Sequence, residues 1–68
     1  MTNPKIEKNG DKYWYNTLGQ PHREEGPFYE GVRGKVWRIH GQLHREDGPA
    51  VEMIDGCKEW YVRGKKIN

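Results

Sequence analysis

At 68 residues the chain has room for one domain and no more, and a chain of this size buries only about 60% of the surface that its unfolded form exposes. Hydrophobic residues make up 32% and charged residues another 32%, close to the boundary of disorder, yet three Trp and four Tyr concentrate apolar area at few positions and argue for a folded chain. A net charge of +2 is too small for an electrostatic footprint on nucleic acid or an anionic membrane, and a single cysteine, Cys57, excludes an internal disulfide and a multi-cysteine zinc cage.

The N-terminus, Met1-Thr2-Asn3-Pro4-Lys5, lacks the apolar core of a signal peptide, and no apolar run reaches membrane-spanning length, so a reducing cytoplasm is the expected location. Nine Gly and four Pro interrupt every window long enough to show a helical period, which leaves short strands. Lys5-Ile6-Glu7-Lys8 and Asp11-Lys12-Tyr13-Trp14-Tyr15 flank Asn9-Gly10, a hairpin signal because both residues accept positive φ. Phe28-Tyr29-Glu30 and Lys35-Val36-Trp37-Arg38-Ile39 flank Arg33-Gly34, the weakest of the three turns. Ala50-Val51-Glu52-Met53-Ile54 and Lys58-Glu59-Trp60-Tyr61-Val62 flank Asp55-Gly56. The longer connections, Asn16 to Gly26 and His40 to Gly48, each end in Gly-Pro just before a strand, where proline fits because it starts a strand without donating to the ladder. The predicted fold is all-β: an antiparallel meander of about six short strands, with tight turns along one edge and the longer connections along the other.

The phrase His22-Arg23-Glu24-Glu25-Gly26-Pro27 returns as His44-Arg45-Glu46-Asp47-Gly48-Pro49. Trp14 and Gly19 precede the first copy, Trp37 and Gly41 the second, and Trp60 with Gly64 opens a third that stops where its histidine would stand. A period of roughly 22 to 24 residues marks a repeat array in which each unit buries its apolar face against the next. The chain therefore reads as one domain over residues 1–68, made of two and a half to three hairpin units at about 5–26, 27–48 and 49–68. So few units fall short of the number usually needed for independent stability, and a homodimer is expected. Equivalent positions lie two strands apart, about 10 Å, so the tryptophans do not stack; Phe28 or Tyr29 and Val51 or Met53 are expected to fill between them in a core seam. One extra residue between Trp14 and Gly19 predicts a longer loop in the first unit.

Trp-x-x-x-Gly-x-x-His followed by turn glycines occurs at Trp37, Gly41, His44, Gly48 and Gly56, and with one insertion at Trp14, Gly19, His22 and Gly26. This pattern resembles the MORN repeat, and Leu43 to Ala50, Leu-His-Arg-Glu-Asp-Gly-Pro-Ala, is similar to a MORN-like variant of phage and bacterial proteins. The resemblance covers residues 9 to 68 and implies a curved β-meander with a scaffold or binding role. For the phage variants it further implies a small accessory protein that binds and inhibits a host enzyme or defence component.

His22, Arg23 and Glu24, with His44, Arg45, Glu46 and Asp47, form the polar constellation that recurs. It reads either as the way the repeat turns its corner, with Arg paired to acidic groups and His satisfying the loop, or as two copies of a recognition loop for a protein or an anionic ligand. A shared zinc ion would need both histidines near 2 Å from the metal, against a separation of about 10 Å, so neither metal nor cofactor is expected. The chain contains no serine for the usual hydrolase triad, its glycines are spaced as hairpin turns, and Glu24 with Glu46 lack a sugar cleft, so it is read as no enzyme. Sheet aromatics beside Lys12, Arg38 and Lys58 would suit single-stranded nucleic acid, but the low net charge argues against it. The expected function is a non-catalytic protein-binding module, its partner a host factor. Tyr13, Tyr15, Arg38 and Tyr61 would form an exposed sheet face and the two His-Arg-Glu loops a charged rim. The alternatives are a small-molecule or nucleotide binder that grips phosphate with Arg23 and Arg45, and a self-assembly module that polymerises through its sheet edges.

Overall fold

The structure, a computed structural model, describes residues 4–67; Met1 to Asn3, part of the stretch read for a leader, and Asn68 lie outside the described residues. In chain order the strands are β1 (Lys5–Ile6), β2 (Lys12–Tyr13), β3 (Tyr29–Gly31), β4 (Gly34–Val36), β5 (Arg38–Ile39), β6 (Gln42–Leu43), β7 (Val51–Met53), β8 (Lys58–Glu59), β9 (Tyr61–Val62) and β10 (Lys65–Lys66). Six of them form one antiparallel sheet in the order β1-β2-β3-β4-β7-β8, the meander that the repeat demands. β5 pairs with β6 and β9 with β10 in a second row, to which a Tyr15–Pro21 bridge belongs in the first unit. No helix among the described residues is long and apolar enough to cross a membrane.

A second row of short hairpins thus forms where the sequence reading placed no pairing, after Asn16, after Ile39 and after Val62. Ile39 pairs with Gln42 across His40-Gly41, at φ of 50° and 82°, and Val62 pairs with Lys65 across Arg63-Gly64, at 53° and 80°. Two central residues at positive φ make the tight turn whose twist matches the flanking strands. In the first unit the extra residue lengthens this turn: Asn16 N–H donates to Gln20 O over 2.9 Å, and Asn16 Oδ1 accepts from Leu18 and Gln20.

The tryptophans mark where the chain crosses from one row to the other. Trp14 N–H donates to Phe28 O in the sheet (2.9 Å), while its carbonyl accepts from His22 N–H in the second row (3.1 Å). Trp37 repeats this with Ala50 O (2.7 Å) and His44 N–H (3.1 Å). A residue bonded both ways cannot continue a single ladder, so the expected five-residue strands around Trp14, Trp37 and Trp60 divide at the indole.

The tight turns also differ in kind. At Glu7–Asp11 and Met53–Cys57 the loop has three residues, closed by Glu7 N–H to Asp11 O and Met53 N–H to Cys57 O, both 2.8 Å. Only the final glycine, Gly10 or Gly56, has positive φ, so Asn9 and Asp55 do not adopt the left-handed conformation expected of them. The middle turn uses Val32-Arg33, and Gly34 already pairs with Gly31 inside the sheet. A Cβ on Gly31 would overlap the Asp11 carboxylate and the Tyr29 hydroxyl, which explains a glycine within a strand there.

Register separates the two faces of the sheet. Tyr13, Tyr29, Val36 and Val51 face one another across successive strands, ending at Glu59. On the opposite face Lys12, Glu30, Lys35, Glu52 and Lys58 form a row of alternating charge. Opposite charges across strands contribute about 0.2–1 kcal/mol per pair, so this row also holds the register against slippage.

The molecule is a slab of 31 × 27 × 15 Å, and the large buried side chains gather between the first two units. Trp14, Phe28, Tyr29 and Ala50 are buried. Tyr13 packs 5.0 Å from Tyr29 and 5.8 Å from Phe28, and Tyr15 meets Phe28 edge-on at 5.6 Å. At the next boundary Val36, Ala50 and Val51 occupy the positions of Tyr13, Phe28 and Tyr29, so much less apolar area joins the second unit to the third.

Candidate functional site

Both His-Arg loops are built on the same set of contacts. The guanidinium of Arg23 lies 3.6 Å from the centre of the Trp14 ring, and that of Arg45 lies 3.8 Å from Trp37. Arg23 Nη1 donates to Pro27 O (3.2 Å) and Arg45 Nη1 to Pro49 O (3.1 Å), which closes each loop on its own Gly-Pro. The same nitrogens sit 3.9 Å from Glu30 and 3.5 Å from Glu52, on the charged row of the sheet. A Cβ on Gly48 would come within 2.9 Å of Arg45 Cζ, so the phrase's glycine leaves room for the guanidinium on its indole. What covers Trp14 and Trp37 is therefore a cation from the following loop, and not only the intervening side chains, Phe28 or Tyr29 and Val51 or Met53, expected of a core seam.

The histidines act across units. His22 Nδ1 accepts from His40 N–H over 2.8 Å, and His44 Nδ1 accepts from Arg63 N–H over 3.0 Å. Among the described residues these are the amides of the two non-glycine residues with positive φ, so each histidine holds the second-row turn of the next unit. Backbone bonds add to the seam: Arg23 N–H to Arg38 O and Arg45 N–H to Tyr61 O, both 3.0 Å. An accepting Nδ1 leaves the proton on Nε2, which faces Glu24 at 3.7 Å in one loop and Glu46 at 3.9 Å in the other.

The copies differ at one residue. Arg45 Nε donates to Asp47 Oδ1 over 2.9 Å, whereas Arg23, followed by Glu25 at that place, has a buried Nε without a partner. Glu25→Asp is expected to supply it. Because the carboxylate is exposed, the gain is about 0.5 kcal/mol and a rise of a few degrees in Tm. A thermal melt that shows no rise, or a fall, would mean that the second loop's geometry is not available to the first.

Between the loops runs an open groove of about 790 Å³, lined by Trp37 and Ile39 between the two phrases. Its rims carry Glu24, Glu25, Glu46 and Asp47, and the side chains of Glu24 and Glu46 are each 78% exposed. Both arginines along it are already held by indole, carbonyl and carboxylate, Asp47 among them, and Glu24, Glu25 and Glu46 leave the groove with a net negative charge.

The sheet residues named from the sequence do not share one exposed face. Tyr13 is half-buried among Phe28 and Tyr29, and burial pushes its phenol above the ordinary value. Tyr15, Arg38 and Tyr61 lie in the second row. Tyr15 is partly exposed, Arg38 donates to Gly41 O (2.9 Å), and Tyr61 donates to Glu59 Oε1 (3.1 Å), a bond that raises its pKa. Cys57 is exposed, but the hydrogen bond and charge of Asp55 push its thiol up, away from the thiolate a nucleophile needs.

Asp11 escaped the sequence reading. It is 5% exposed; Oδ1 accepts from Val32 N–H (2.9 Å), and Oδ2 from the Tyr29 hydroxyl (3.1 Å) and Asn9 Nδ2 (3.2 Å). It ties the first hairpin to the turn of the second. The Val32 bond, foremost, holds its pKa below the ordinary carboxylate value against the opposing effect of burial; Tyr29, Asn9 and the charge of Arg33 add to it. The only signal in the sequence was Asn9-x-Asp11, a side-chain-to-backbone turn pattern, and Asn9 Oδ1 does accept from Asp11 N–H.

Among the described residues no group of three or more His, Cys, Asp and Glu side chains is placed to hold a metal ion. In comparisons with known proteins no family model matches the chain, and neither a curated protein nor a solved structure matches it.

Proposed function

We propose that the chain is a non-catalytic protein-binding module that receives a basic, partly apolar segment of another protein in the groove between its two His-Arg loops. The observation that supports this most is the division of labour within the phrase. His and Arg are spent on joining the units, while the carboxylates beside them stand exposed over Trp37 and Ile39. An apolar base with a charged rim is the anatomy of a protein contact, and single-sign rims select and steer partners of the opposite sign. The phrase's resemblance to small phage and bacterial repeat proteins extends the reading to a host enzyme or defence component, blocked by occlusion. Phosphate capture by Arg23 and Arg45 finds less support, because a ligand would first have to displace their indole and carbonyl partners.

The test is affinity capture from the native host lysate with the wild type beside a Glu24→Lys/Glu46→Lys double variant, whose exposed sites tolerate the change. The expected result is one dominant protein whose recovery falls at least tenfold in the variant and declines with salt. Equal recovery by both proteins, or no partner for either, would contradict the groove reading.

A further inference from the structure

Three strands of this sheet carry the same edge: Lys12-Tyr13-Trp14, Lys35-Val36-Trp37 and Lys58-Glu59-Trp60. Two of the three are covered from within the chain, in the same way. Over the first, residues 22–30 place Arg23 on the Trp14 ring, the Phe28 carbonyl on Trp14 N–H and Glu30 opposite Lys12. Over the second, residues 44–52 place Arg45 on Trp37, the Ala50 carbonyl on Trp37 N–H and Glu52 opposite Lys35.

The third edge is open. Among the described residues no strand lies outside β8, no carbonyl accepts from Trp60 N–H and no guanidinium lies over the Trp60 ring. Lys58 meets Glu52 on its inner side and no carboxylate from an outer strand. We infer that the β8–Trp60 edge is a docking site for an extended polypeptide segment with an arginine seven residues before a glutamate and Gly-Pro between them. That spacing is the separation of Arg23 from Glu30 and of Arg45 from Glu52 in the two internal examples. The segment would add a strand to β8, set its arginine on Trp60 and continue the alternating row with its glutamate beside Lys58. Main-chain bonds supply affinity in such strand addition, and the two charged positions supply specificity. This surface is distinct from the groove and stands whether or not the groove binds a protein.

The test titrates the whole chain with a synthetic peptide of residues 43–54 while the backbone amides of the three tryptophans are followed by NMR. The expected result is saturable binding that shifts Trp60 N–H and slows its exchange with solvent, leaving Trp14 and Trp37 unchanged. Arg45→Ala or Glu52→Lys in the peptide should each weaken binding at least tenfold, which probes the contact without altering the folded chain. The Glu24→Lys/Glu46→Lys protein should bind the peptide as well as wild type does, so failure of the groove reading remains distinguishable. No binding, equal binding by the substituted peptides, or perturbation of Trp37 in place of Trp60 would overturn the inference. So would a dimer paired through β8 that the peptide fails to displace.

Discussion

Arg45→Ala is expected to lower the thermal unfolding midpoint by more than about 10 °C. The side chain spans a boundary that has little else. Its cation–π contact with Trp37 contributes about 1–2 kcal/mol, its bond to the Pro49 carbonyl about 1 kcal/mol, and its exposed carboxylate partners together up to about 1 kcal/mol. A single domain of this length has only about 3–5 kcal/mol of stability in all. Val36, Ala50 and Val51 at this boundary bury far less than Tyr13, Phe28 and Tyr29 at the other, so the loss falls where packing compensates least. Arg45→Lys should recover only part of it, because an ammonium lacks the planar fork that lies on the indole while reaching Pro49 and Asp47 together. Circular dichroism melts of the three proteins check this; an Arg45→Ala midpoint within about 3 °C of wild type would show that the guanidinium is not what joins these units.

Asp11→Ala should lower the midpoint by on the order of 10 °C, since it leaves Val32 N–H and the Tyr29 hydroxyl without their acceptor in a nearly closed site. The effect should also depend on pH. The folded-state pKa of Asp11 is depressed, so its contribution is complete above the unfolded value of about 3.9 and drains away as pH falls through the lower folded value. Asp11→Asn should therefore be less stable than wild type at neutral pH and lose less on acidification, with the two proteins converging below pH ~3.9. Asp55, lowered chiefly by the Cys57 amide, keeps some acid dependence in the variant. Parallel acid profiles for the two proteins would show that Asp11 is not ionised in this network.

The sheet was legible in the sequence because its signals are local and repeated. Short runs rich in aromatic and β-branched residues, glycines at the tips and Gly-Pro before β3 and β7 specify the strands and their antiparallel order. The second row was not legible. Its strands are two residues long, too short for alternation to register, and its turns, His40-Gly41 and Arg63-Gly64, place non-glycine residues at positive φ. Only a tertiary partner makes that worthwhile: an imidazole from the neighbouring unit accepts the amide of each. Asp11 failed to stand out for a related reason, since its acceptors' partners, Val32 and Tyr29, lie 21 and 18 residues away. The recurring phrase announced a site, and the sequence left open whether it served fold or contact. Its residues divide between the two, with histidine and arginine turned inward and the acidic pair left on the surface.

The most direct measurement is the proton NMR spectrum of the arginine side chains. If the phrase is the clamp that joins the units, the methylene and guanidinium protons of Arg23 and Arg45 lie in the ring currents of Trp14 and Trp37 and are displaced upfield, while those of Arg33 and Arg63 keep ordinary shifts. Ordinary shifts for all four would place both guanidiniums in solvent and contradict the division of labour on which the functional reading rests.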